Sequence, residues 1–224
     1  MRWLLLPLCL TGCWPYITGG FDSDGNGETG EVDPGGDAIS DLRAGSSAPG
    51  TQVDVRNVEV TAVWDLGFYV QDPRGGTRDS GIHIFLDGAP PASVGERITV
   101  TGVLEDYFGE LQINDANVDV LGPGTGIDPV ELSAEEAASE AYEGMLVEVS
   151  GTNTNPNYSC AVDNAACRDQ NLWEVGGSGG VVVWDRCFED AGWADFNGDL
   201  PVVGVQTMRF DRRRIMPRTA GDFR

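Results

Sequence analysis

The chain has no lysine and only one histidine, His83. All fourteen basic side chains are arginines, set against 36 acids, so the net charge is −22 and the sequence pI about 4.1. A field of that sign repels phosphate backbones at long range and disfavours non-specific nucleic-acid binding. It suits solubility, cation binding or plain surface solvation. With one histidine there is no histidine pair to hold zinc. The chain has no HExxH, no Walker loop, and no Ser or Cys in a recognisable nucleophile motif. Only hydrolysis by carboxylates and a metal stays open on composition, and no catalytic residue is assigned.

Long apolar runs are also missing. The longest, Trp3 to Leu10, covers about eight residues, whereas a spanning helix needs about twenty. Cysteines are few: Cys9, Cys13, Cys160, Cys167 and Cys187. None sits in a CxxC or beside the histidine, which argues against metal or redox work. What is abundant is 31 glycines, 12 prolines and 41% apolar residues, the composition of short strands and turns around a real core.

The N-terminus reads as an export signal. A short positive region, Met1-Arg2, precedes the apolar run, whose length is that of a secretory h-region. Leu10-Thr11-Gly12-Cys13 resembles the lipobox of bacterial lipoproteins. The resemblance implies cleavage before Cys13 and diacylation of its sulfur, usually with a third chain on the amine; two or more chains anchor stably. Trp14 rather than Asp follows the cysteine, which by the sorting rule of such lipoproteins implies the outer membrane, with the cytoplasmic membrane as the other site. The partner at that end is therefore the membrane. With residues 1–12 removed and Cys13 committed to lipid, three cysteines remain in an oxidising compartment. One disulfide is expected among Cys160, Cys167 and Cys187, its pairing open and Cys160–Cys167 the most local choice.

Residues 13–50 are rich in Gly, Asp, Glu, Ser and Pro and predict a flexible, self-repelling tether. Within them Asp22, Asp24, Asn26, Glu28 and Asp33 fall at the oxygen-ligand spacing of an EF-hand-like loop. No apolar-periodic helix flanks that loop, and its last ligand is the shorter Asp. A solvated tether is the preferred reading, weak Ca²⁺ binding the alternative, and no other cofactor is expected.

From Thr51 the pattern turns to alternating strands: Val53 to Val63, Gly67 to Gln71, Gly81 to Leu86, Arg97 to Leu104, then Leu111-Gln112-Ile113 with Val118-Asp119-Val120. Short strands at this spacing predict a small barrel over residues 51–122. The pattern then repeats. Gly102 is followed by Phe108 six residues later and Ile113 eleven later; Gly204 is followed by Phe210 and Ile215 at the same offsets. Gly81–Phe85 corresponds to Gly180–Trp184, Gly67–Val70 to Leu172–Val175, and Val58–Val60 to Leu146–Val149. A second, irregular barrel is thus expected over residues 144–224. In the linker, residues 123–143, Ser133-Ala134-Glu135-Glu136 reads as a capping box opening a short helix to about Tyr142. The fold class is all-β: two tandem small barrels joined by a short helix.

The stretch from Val58 to Ile113 resembles the OB-fold-like modules that accompany secreted bacterial nucleases and phosphoesterases. It carries their GFYVQD segment (Gly67 to Asp72), a GIHI strand (Gly81 to Ile84), VGERITVTG (Val94 to Gly102), and a closing aromatic-Gly-Leu-Gln-Ile pattern (Phe108 to Ile113). The second half is less alike and bears a long Cys-containing insertion from Asn153 to Gln170. The resemblance implies OB-like barrels. The catalytic domain of those enzymes has no counterpart in the chain.

Trp64, Phe68, Tyr69, Phe85, Tyr107 and Phe108 are the candidate OB-type stacking face, with core packing as the alternative. Arg209, Arg212, Arg213, Arg214, Arg218 and Arg224 form a local excess of positive charge. It can meet phosphate, acidic polysaccharide or an acidic partner, or dock on the protein's own acidic surface. His83, between Ile82 and Ile84, is expected on the wetter side of the barrel. Asp72, Asp79 and Asp87 are expected as turn formers. The function expected is a non-enzymatic, surface-anchored binding or adaptor module for a protein, polysaccharide or nucleic-acid ligand. The alternatives are an accessory nucleic-acid-binding component of an extracellular nuclease system and a structural envelope protein.

Overall fold

A computed structural model describes residues 36–155, 172–184, 201–210 and 212–224. Cys13, the calcium-loop residues Asp22 to Asp33, and Cys160, Cys167 and Cys187 lie outside the described residues. The described chain is all-β apart from one short helix and a few 3-10 turns.

Five strands make the first sheet: β1 (Gln52–Trp64), β2 (Gly67–Gln71), β3 (Gly81–Phe85), β4 (Glu96–Tyr107) and β5 (Glu110–Pro123). They pair in the order β1-β2-β3-β5-β4, and β4 pairs back onto β1 to close the ring. All pairs are antiparallel except β3 with β5, where Ile84 faces Ile113. Alternation explains the filling: along β4, Ile98, Val100 and Leu104 point inward to meet Val53, Val55, Val58, Val60, Phe68, Val70, Ile82, Ile84 and Ile113. A bulge between Val60 and Ala62 reverses the parity of β1. Beyond it Ala62 and Trp64 face away from the ring and enter a different core. β2 is consequently buried on both faces.

The second sheet has β6 (Val130–Ser133), β7 (Leu146–Ser150), β8 (Asn153–Asn155), β9 (Leu172–Val175), β10 (Val181–Trp184), β11 (Val202–Arg209) and β12 (Arg212–Met216), in the order β6-β7-β11-β12-β10-β9-β8. Unlike the first it is a linear order of seven strands, but several of its pairings match those of the first. β10 runs parallel to β12 with Val183 facing Ile215, as Ile84 faces Ile113. β7 pairs with β11 and β8 with β9, so β7 and β8, separated only by Gly151 and Thr152, share the two pairings that β1 makes alone. The register slips between Asn153 and Asn155, the step matching the Val60/Ala62 bulge.

The glycine–isoleucine offset has a steric cause. A Cβ on Gly102 would lie 2.5 Å from Ile113 Cγ2, and one on Gly204 would lie 2.8 Å from Ile215 Cγ2. Each isoleucine packs over a bare backbone across its hairpin, so both positions must stay glycine. Phe108 and Phe210, at the hairpin tips, share a left-handed backbone, with φ 54° and 51°.

Four expectations are corrected. The predicted tether ends earlier than residue 50: α1 (Ile39–Arg43) buries Ile39 and Leu42 in the first core. These two apolar residues at i and i+3 supply a face that composition averaged over the segment hides. The linker helix is instead two 3-10 turns, Glu136–Ala138 and Glu140–Tyr142, with the predicted box formed by Ser133 and Glu136. Ahead of them β6 adds a parallel edge to β7. Finally, β7 corresponds to the start of β1, with Val147 opposite Gly204 as Val53 is opposite Gly102, rather than to Val58–Val60. The valines of β1 repeat on both sides of a register shift between Val55 and Val58, so Val53-x-Val55 and Val58-x-Val60 look alike in sequence.

Residues of both sheets share one further core. Ala62, Trp64 and Tyr69 pack there with Leu146, Leu172, Val182, Trp184, Val203, Val205 and Met216. Backbone meets backbone at its edge: a Cβ on Gly81 would lie 2.3 Å from the carbonyl carbon of Gly144. Asp79 N donates to Ala141 O at 2.7 Å, and Leu146 N donates to Gln71 Oε1 at 3.0 Å.

Candidate functional site

The junction carries a buried polar cluster centred on Glu110, the first residue of β5. Tyr69 from β2 and Thr207 from β11 both donate hydroxyl hydrogen bonds to Glu110 Oε1, at 2.8 and 2.5 Å. Oε2 faces His83 Nδ1 at 3.6 Å and Arg209 Nη2 at 3.4 Å. Trp64 Nε1 donates to His83 Nε2 at 3.3 Å, and the Tyr69 ring stacks on His83 with centroids 4.7 Å apart. Tyr69, His83 and Glu110 are at most 1% exposed. Burial alone would raise the Glu110 carboxyl; the facing His83 ring, the Arg209 guanidinium and the Thr207 hydroxyl more than offset it and hold it at about 2. Burial first, and then the Glu110 charge, push the Tyr69 phenol well above its ordinary range.

Beside this cluster lies a cavity of about 470 Å³ lined by Trp64, Leu66, Phe85, Glu105, Tyr107, Gln112, Asn114, Trp184, Arg209 and Phe210. Both sheets contribute, and they do so from matching positions. Phe85 ends β3 as Trp184 ends β10, and Tyr107 ends β4 as Arg209 ends β11. Arg209 lies over the faces of Trp64 and Tyr107, 5.7 and 5.3 Å from their centroids. Gln112 Nε2 donates to Glu105 Oε2 at 3.2 Å and to Asn114 Oδ1 at 2.9 Å, and Asn114 Nδ2 also donates to Glu105. Gln112 is 2% exposed, and its Oε1 is buried without a donor.

The aromatic face expected from sequence is divided by this arrangement. Trp64, Phe85 and Tyr107 line the cavity, whereas Phe68 fills the first core and Tyr69 is locked in the Glu110 cluster. Phe108 stands outside the cavity, 85% exposed and edge-on to Tyr107. His83 is in the dry junction, not on a wet face. The strand alternation that placed it opposite Ile82 and Ile84 was right, but the outer face of β3 is covered by the second sheet.

Each cavity-side and C-terminal arginine meets the protein itself. Arg209 faces Glu110, Arg212 pairs with Glu174 at 3.1 Å, and Arg213 bonds Glu143. Arg214 is fully buried against the Trp184 and Phe210 rings and donates to Arg209 O. Arg218 grips Asp222 and donates to Thr61 O at 3.1 Å, and Arg224 pairs with Glu148 at 2.6 Å. Of the two readings of the arginine cluster, this is the self-docking geometry. Asp72 closes a turn by accepting from Arg74 N at 2.8 Å, and Asp79 sits at φ 55°.

Among the described residues no group of three His, Cys, Asp or Glu side chains is placed to hold a metal ion. Nor is any helix there long and apolar enough to cross a membrane. Glu105, Glu110, Gln112, Asn114, Thr207, Trp184 and Phe210 escape a sequence reading. The one available signal was the repeat itself, which maps Trp184 onto Phe85 and Phe210 onto Phe108. Compared with known proteins, the chain matches no family model and no curated protein.

Proposed function

We propose that the protein is a non-enzymatic, lipid-anchored envelope protein whose two OB-like barrels jointly hold a small ligand. The observation that carries this reading is the cavity, because matching strand ends of both repeats, Phe85 with Trp184 and Tyr107 with Arg209, converge on it. Its size lies within the roughly 300–1,000 Å³ of small-ligand sites, and aromatic walls with a few polar groups are their usual lining. The second sheet supports the two-barrel reading: with β7 and β8 taken as one broken strand, its pairings follow the same ring as the first. The His83–Glu110 pair supports binding over catalysis. Nε2 of His83 accepts a hydrogen bond from Trp64 Nε1, Nδ1 faces Glu110 Oε2 at 3.6 Å, too far for a hydrogen bond, and the ring does not line the cavity.

The neutral dye N-phenyl-1-naphthylamine tests the pocket. Its emission is expected to rise and shift to the blue with the wild-type chain, and to lose that response in Asn114→Trp, which fills the cavity. A response that survives the filling would sink the pocket reading. The anchor is tested by the intact mass of membrane-extracted protein, expected to start at Cys13 and to carry acyl mass. The nucleic-acid alternative predicts single-stranded DNA binding at low salt that weakens steeply as salt rises. With the arginines matched internally, no such binding is expected in a fluorescence-anisotropy titration.

A further inference from the structure

We infer that the junction cavity is a saccharide site, recognising an uncharged pyranose ring through its hydroxyls and its apolar C–H face. This deepens the proposed binding function and rests on it.

Charge excludes most other ligands. A polyanion meets a chain of net charge −22 whose nearby arginines are already neutralised by Glu110, Glu174, Glu143 and Asp222. A ligand cation would seek the ring faces of Trp64 and Tyr107, but the Arg209 guanidinium already lies over both. The occupant that remains is neutral.

Hydrogen bonding excludes a plain hydrocarbon. Glu105, Gln112 and Asn114 make one side of the cavity polar, and burying that side under an apolar ligand would strip its water without replacement. Gln112 Oε1 is a buried acceptor with no donor, and such an atom costs free energy until an N–H or O–H reaches it. The Glu105 carboxylate is a second acceptor in the same lining. A ligand that brings donating hydroxyls satisfies both.

Shape supplies the remainder. Phe85, Trp184 and Phe210 line the cavity from two sheets, with the Arg214 guanidinium over the Trp184 and Phe210 rings, and Gln112 and Asn114 share the same lining. Both hairpin tips hold a phenylalanine in left-handed backbone, Phe210 in the lining and Phe108 next to the lining residue Tyr107. That conformation is costly for a bulky residue and persists where the surroundings or a function over-determine it. Phe108, exposed and edge-on to the lining residue Tyr107, offers a further aromatic surface outside the cavity. A flat C–H face, a hydroxylated edge and no charge together describe a pyranose.

The test is saturation-transfer NMR on the full chain in a sugar-free detergent. The probes are methyl glucoside, cellotriose and maltotriose at about 10 mM, enough to populate a site of millimolar Kd, with thymidine as the comparison ring. Transfer is expected to the pyranose C–H protons, stronger for the trisaccharides if the site takes the end of a glycan and equal for the glucoside if it takes a free sugar. Gln112→Leu and the exposed-position variant Tyr107→Ala are expected to weaken it about tenfold or more, with thermal melts checking that each is folded. The absence of transfer from every sugar, unchanged transfer in both variants, or transfer to thymidine alone would each overturn the assignment. If the neutral dye still binds the cavity in that case, only the saccharide assignment fails; if the dye also fails, the pocket function falls with it.

Discussion

Glu110→Ala is expected to destabilise the protein by about 3–5 kcal/mol, the range for removing one partner from a buried charge cluster. The carboxylate is the common acceptor for Tyr69 and Thr207 and the counter-charge for Arg209. Truncating it leaves the Thr207 hydroxyl without its acceptor, Tyr69 with only Thr207 Oγ1 to donate to, and the Arg209 guanidinium without its counter-charge. Urea titrations at pH 7, followed by tryptophan emission, read the loss, since Trp64 and Trp184 sit in that same core. Glu110→Gln keeps the shape and isolates the charge. The Glu110 carboxyl is held at about 2, below its ordinary 4.5. Its charge therefore contributes stability that is fully present above about pH 4.5 and is lost as pH falls through 2, on the order of 3 kcal/mol in total. Between those limits the wild type should lose stability faster than Glu110→Gln. Parallel curves for the two proteins would show that the carboxylate is not what couples the sheets to pH.

Gly81→Val is expected to cost about 3 kcal/mol or more and to part the two sheets locally. The added Cβ would lie 2.3 Å from Gly144 C, 2.4 Å from its O and 2.5 Å from Met145 N. All three are backbone atoms, so no rotamer change relieves the clash. Gly144, at φ 75°, has no more room, since its own Cβ would lie 2.6 Å from Gly81 C. Separation at this point endangers the hydrogen bonds that begin β7, from Leu146 N to Gln71 Oε1 and from Gln206 N to Met145 O, each 3.0 Å. A red shift of tryptophan emission together with faster proteolysis in the linker would report the parting. A melt unchanged from wild type would mean the contact is more compliant than its distances imply.

Local physics made the strands legible and tertiary placement hid the site. Alternation along β4 and the steric glycine–isoleucine pairs are properties of one hairpin, so the sequence carried them. The register shift in β1 falls between Val55 and Val58, where the valine spacing widens from two to three, but the same Val-x-Val pair stands on either side of it. The linker illustrates a different limit: the Ser133–Glu136 box formed as expected, yet the chain after it turned as 3-10, because Gln206 holds the carbonyls of Ala137 and Ser139. That constraint comes from a strand more than sixty residues away. His83, Glu110 and Thr207 are ordinary strand residues until a second sheet covers them. The arginines were legible as a cluster, but apart from Asp222, four residues beyond Arg218, the carboxylates that receive them come from β5, β7, β9 and the turn before β7.

The matching frame of the two repeats makes one pair of contacts directly comparable. Glu110 stands where Arg212 stands in the second repeat, and Tyr69 stands where Glu174 stands; each pair touches, Tyr69 with Glu110 and Arg212 with Glu174. Thr207, which completes the junction, has Glu105 as its counterpart. Two copies of the first repeat brought together in this way would therefore set Glu105 against Glu110, carboxylate against carboxylate in a dry contact. At this contact the two repeats are therefore not interchangeable: the first needs the hydroxyl of Thr207, which its own sequence replaces with an acid.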